Sequence, residues 1–160
     1  MKSQLLFLLL LLLCNTTIIQ AQITDKQAVK EPTKTETKQQ KMKLLIHITQ
    51  GPENPTRAAL AFLVARTAIE EGHTVSLFLA GDAVQLLRDG MLDNLSGLGT
   101  GKLREHYDII VKGGGKFYLS GMSSKARAVT DADLKGKPAA FATPSVLLQL
   151  SFDCDRMFTY

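Results

Sequence analysis

The chain has 160 residues, 45% hydrophobic and 21% charged, which suits one globular domain once non-globular parts are set aside. Its net charge of +4 is unevenly spread: Lys2 and the five lysines of residues 22–41 supply most of it, and residues 42–160 hold 13 basic against 12 acidic side chains. A near-neutral folded part argues against nucleic acid as a partner.

Met1–Ala21 opens with Lys2, continues through the apolar run Leu5–Leu13 and ends on Ile19-Gln20-Ala21. The run is too short to span a bilayer, so the segment reads as an export signal cleaved after Ala21, and the expected location is periplasmic or secreted. Cys14 leaves two readings: it departs with the signal, or it carries a lipid anchor, for which Leu13 is a poor preceding residue. Residues 22–41 are rich in Lys, Thr, Gln and Glu and hold too little apolar surface to offset ordering entropy, so they read as a flexible tether. The compact domain is expected over residues 42–160. It contains one cysteine, Cys154, so no internal disulfide is possible.

Leu44–Thr49 is short and apolar, as expected of a strand buried on both faces. A turn-rich loop, Gln50-Gly51-Pro52-Glu53-Asn54-Pro55, follows. Asn54 is placed to cap a helix, Pro55 suits its first position and Gly72 closes it. Thr74–Ala80 is a second buried strand, which makes a βαβ unit and commits the fold to a parallel sheet. Gly81-Asp82 leads into a short helix over Ala83–Arg88 that Asp89-Gly90 is expected to end. Met91–Gly101 reads as a glycine-punctuated loop or broken helix. Leu103–Lys112 has helical spacing and stops at Gly113-Gly114-Gly115. Lys116–Leu119 is a third strand running into Ser120–Arg127, a turn that opens a helix. Pro138–Ala142 reads as a short strand, Pro144–Phe152 as a helix and Arg156–Tyr160 as a closing strand. The pattern predicts a single α/β domain with a flavodoxin-like open, mostly parallel sheet of four to five strands flanked by helices.

In such a sheet ligands bind outside the carboxyl ends of the strands. That rule places the loop Gln50–Pro55 where a ligand would bind. Ser120–Arg127 carries two even readings: amides and basic side chains that hold an anion or polarised sulfur, or a capped helix with solvated Lys125 and Arg127. Serine catalysis is not expected. The G-x-S-x-G pattern fails at Lys125, S-x-x-K fails at Met122, and no base is nominated for either hydroxyl. Gly113-Gly114-Gly115-Lys116 is no phosphate loop, since Phe117 stands where Ser or Thr is required. His47 reads as a hydrogen-bonded interior histidine or a ligand contact near a strand end. His47, His73 and His106 share no metal-ligand spacing, so neither a metal nor a cofactor is expected. Cys154 sits between Asp153 and Asp155, whose charges discourage a reactive thiolate.

Three stretches together, Ile48–Arg57, Leu77–Asp82 and Ser120–Arg127, resemble the DsrE/DsrF-like family, and the resemblance spans Met42–Tyr160. It implies a flavodoxin-like fold, trimers or hexamers, and, in the best-known branch, sulfur relayed as a cysteine persulfide. The persulfide cysteine of that branch corresponds to Ser120 here, with Ser123 a possible second place. A hydroxyl cannot carry persulfide sulfur. The expected export is a second departure, since the relay branch works in the cytoplasm. What the resemblance implies is a small-ligand (anion or sulfur-species) binding or assembly module, a homo-oligomer without catalytic persulfide chemistry, with Gln50, Gly51, Asn54, Asp82, Ser120, Gly121, Ser123, Lys125 and Arg127 as its ligand-binding set at one edge of the sheet. Two alternatives stand beside it: a sulfurtransferase or sulfur carrier using Cys154, and an oligomeric interaction protein with a vestigial pocket.

Overall fold

The structure, a computed structural model, describes residues 40–160. The expected export signal, Cys14 and nearly all of the expected tether lie outside those residues.

Strand β1 (Lys43–Ile48) leads into α1 (Pro55–Glu70) and β2 (Thr74–Leu79). A 3-10 helix (Gly81–Leu87) and α2 (Asp89–Asn94) follow. The two-residue strands β3 (Ser96–Gly97) and β4 (Gly101–Lys102) then form an antiparallel ladder before α3 (Leu103–Lys112). The chain continues through β5 (Lys116–Ser120), α4 (Gly121–Ala126), α5 (Asp131–Leu134), β6 (Ala139–Ala142), α6 (Pro144–Asp153) and β7 (Arg156–Thr159). Five strands form one parallel sheet in the order β6-β5-β2-β1-β7, a flavodoxin-like α/β arrangement in a single domain.

The apolar strands follow from coverage of both faces. Leu44, Ile46 and Ile48 of β1 join Leu77, Leu79, Phe117 and Leu119 in a large core beneath α1, α3 and the 3-10 helix. Leu45 and Phe78 point the other way, against Val146, Leu147 and Leu150 of α6. Helix α1 begins as its sequence dictates: the Asn54 side-chain oxygen accepts from Arg57 N–H at 3.2 Å, and Pro55 fills the first position. Its buried face is mostly small (Ala58, Ala61, Ala65, Ala68), which seats it close to the sheet around the single large knob Phe62.

Three segments differ from the expectations. The short helix after β2 is a 3-10 helix that starts at Gly81, and Asp89-Gly90 opens α2 rather than ending a helix. Arg88 causes the break by adopting extended backbone (ψ 137°), and a glycine in the first turn of the next helix does not prevent it from forming. Helix α5 was not expected, although Thr130 and Asp133 carry the signal. They form a capping box, with Thr130 N–H donating to Asp133 at 2.8 Å.

The two faces of the sheet are unequally covered. One carries α1, α3 and their neighbours, whereas α6 supplies the apolar cover of the other. No residue of α6 is fully buried; Leu148 is 57% and Phe152 81% exposed. All four residues of the edge strand β7 are exposed as well, including Met157 and Phe158. Large apolar side chains of α6 thus lie outside the core as well as within it. Among the described residues no helix is long and apolar enough to cross a membrane.

Candidate functional site at the carboxyl rim of the sheet

Because the strands are parallel and in register, Ile48 lies beside Leu79 and Leu79 beside Leu119, so β1, β2 and β5 end along one edge. The loops leaving them, Thr49–Asn54, Ala80–Asp82 and Ser120–Arg127, meet there. Gly51 sets how closely the first two approach. A Cβ on Gly51 would stand 2.6 Å from the Asp82 carbonyl carbon and 2.8 Å from its Cβ, nearer still to its carbonyl oxygen. Only glycine permits that distance. The Gly51 amide donates to Glu53 Oε1 at 2.7 Å, which folds the first loop on itself.

Two side-chain links join the second and third loops. Gly81 N–H donates to Ser123 Oγ at 3.0 Å, and Arg127 Nε donates to Asp82 Oδ1 at 2.7 Å. The Arg127 hydrogen bond holds the Asp82 carboxyl below its ordinary value of 3.8, and the same contact raises Arg127. Both stay ionised across the neutral range. Ser120 Oγ accepts from Ser123 N–H at 3.3 Å and caps α4. Both rim serines thus spend acceptor capacity on backbone amides. Among the described residues no imidazole or carboxylate is hydrogen-bonded to either hydroxyl, so neither has the base a nucleophile needs.

The expected set is gathered at this edge, with one division inside it. Lys125 and Arg127 are two residues apart in α4 and its cap, a spacing that points side chains to different sides. Arg127 turns to Asp82, whereas Lys125 lines a hollow of ≈ 490 Å³ beside α4 with Gly121, Val129, Thr130 and Phe141. Asn54 is occupied as the α1 cap. His47 is half-buried on the α6 side, its ring 6.1 Å from that of Phe78, and burial lowers its pKa from 6.5, so it is neutral at pH 7. Cys154 lies at the other end of the molecule. It lines a small hollow with Lys43, Thr74 and Ser76 at the amino ends of β1 and β2, and its thiol donates to Ser151 O at 3.4 Å. The length of β1, about 16 Å, separates it from the rim.

Two contributors escaped the sequence reading. Glu53 closes the first loop. Arg88 clamps the third: its Nη2 donates to the carbonyls of Arg127 and Ala128, both at 2.8 Å. The clamp holds Ala128 at φ 51°, the left-handed position that glycine usually takes after a helix, and Val129 N–H closes the turn on Ser124 O. Ala128→Gly is therefore expected to stabilise the protein by about 0.5–1 kcal/mol in urea denaturation, since relief of strain outweighs glycine's added entropy. An unchanged or lowered midpoint contradicts this account of the turn.

A small parallel α/β domain whose glycine-spaced rim is bridged by an ion pair and ringed by hydroxyls is the class of molecule described. The DsrE/DsrF-like family profile matches residues 42–160, and the chain belongs to that family of sulfur-relay-related modules. Among solved structures it is similar to the YchN protein from E. coli, with a TM-score of 0.61 at 18% identity over 74% of this chain and 99% of that one. It is also similar to BT1422 from Bacteroides thetaiotaomicron, a conserved protein of unknown function, with a TM-score of 0.55 at 11% identity over 74% and 94% of the two chains. At these identities the likeness extends to the fold alone. No curated protein matches the chain.

Proposed function

We propose that this chain is an exported DsrE/DsrF-like module that binds a small anion or sulfur species at the carboxyl rim and performs no persulfide chemistry of its own. The carrying observation is the state of the rim: Ser120 and Ser123 are hydroxyls committed to backbone amides, and the thiol of Cys154 lies at the far end of β1. Sulfur relay needs a thiolate at the reacting position, which a hydroxyl cannot replace. Binding needs less. Arg127 offers a planar donor fork, with Gln50, Gly51, Asp82, Ser120, Gly121 and Ser123 shaping its surroundings and Lys125 adding positive field. Cyanolysis of wild type and Cys154→Ser should release equal, negligible thiocyanate. Release that depends on Cys154 overturns the proposal in favour of a sulfurtransferase whose thiol reaches the rim from a partner subunit. Calorimetric titration with sulfide and thiosulfate tests the rim directly, with Arg127→Ala expected to abolish any binding seen in wild type.

The exposed side chains of α6 and β7 support a second reading, homo-oligomeric assembly. Leu148 and Phe152 of α6 and Met157 of β7 are exposed apolar side chains on one side of the sheet, and Phe158, beside Ile46, is exposed on the other; apolar side chains left bare along an edge in this way mark a protein interface. Native mass spectrometry is expected to show an oligomer that Phe152→Glu converts to monomer. A wild-type monomer removes the reading.

A further inference from the structure

We propose that Asp82 is a built-in stand-in for the ligand, a carboxylate that holds Arg127 until an incoming small oxyanion displaces it, so that the ion pair latches the rim shut. This rests on the rim-binding reading above and adds its regulation.

The geometry carries the inference. Asp82 engages Arg127 through one nitrogen, Nε, at 2.7 Å, and does not take the guanidinium as a bidentate pair. Nη1 has a single long contact, to Ser123 O at 3.5 Å, and Nη2 has no hydrogen-bond partner among the described residues. The outer edge of the fork therefore remains available for the two-point grip that guanidinium gives tetrahedral oxyanions. An oxyanion seated there lies beside the Asp82 carboxylate, and two negative charges at that separation repel. Glu53 adds a second, more distant negative charge that Arg127 feels. Binding there is therefore weakened while Asp82 stays and strengthened when it swings away. The pair is only partly shielded, with side chains 28% (Arg127) and 49% (Asp82) exposed, and such pairs hold loosely in water. Asp82 stands at the start of the 3-10 helix rather than within a long element, and its side chain can rotate without disturbing β2.

A purely structural strap makes the opposite prediction, because losing either partner then weakens binding alike. Thiosulfate titrated calorimetrically into the full chain separates the two. The latch predicts that Asp82→Asn binds thiosulfate at least tenfold more tightly than wild type, while Arg127→Ala and the double variant bind none. Thermal melts of the two single variants should shift together, since both lose the same pair. Binding by Asp82→Asn that equals or falls below wild type overturns the latch and leaves rim binding intact. Absence of binding in both wild type and Asp82→Asn overturns the rim reading itself. Should Asp82→Asn fail to fold, NMR of the wild type decides. The Arg127 Nε–H resonance and the Asp82 carboxyl carbon should both move on adding thiosulfate, and movement of Arg127 alone sinks the latch.

Discussion

Phe62→Ala is expected to lower stability by about 3–5 kcal/mol, the range for deleting a fully buried aromatic ring. The ring is 0% exposed and lies 5.9 Å from that of Phe117, which is in turn 5.3 Å from Tyr107. It is the large side chain on an α1 face otherwise built of alanines, so its neighbours have no bulky partner to collapse onto the gap. Calorimetry should show a fall in the melting temperature of roughly 10–20 °C for a domain of this size. A loss below about 1.5 kcal/mol contradicts the placement of α1 on the sheet.

The second large effect is local to the rim. Gly51→Ala places a methyl group against the Asp82 backbone, and neither loop can yield without moving a strand end. Overpacking against backbone costs about 2–3 kcal/mol. Denaturant melts measure that loss. A fully stable Gly51→Ala protein means that the two loops lie farther apart than described.

Much of the fold was legible because each local signal agreed with the global one. The apolar runs at Leu44–Thr49 and Thr74–Ala80 marked strands covered on both faces, and Asn54-Pro55 and Pro144 marked helix starts that the structure contains. The convergence of three loops followed from parallel pairing, since a parallel sheet has only one carboxyl edge. The pairing of residues within that edge was not legible. Asp82 and Arg127 are separated by 45 positions, and nothing in either local sequence names the other. Arg88 as a clamp on Arg127 and Ala128 was invisible for the same reason. Residues 81–102 misled for a different one: a 3-10 helix and a two-residue ladder have too few residues to show a period, and Gly90 resembled a stop.

The side-by-side position of β1 and β7 has a consequence for how the molecule is made. β1 is the first of the five strands to be synthesised and β7 the last, yet Leu44–His47 pairs with Arg156–Thr159. The earliest strand therefore waits through synthesis of the whole domain before its outer side is closed, and pairing across so long a loop is slow. Until then an apolar strand edge stays open to the wrong neighbour, the condition in which a slowly closing parallel sheet is most exposed to aggregation.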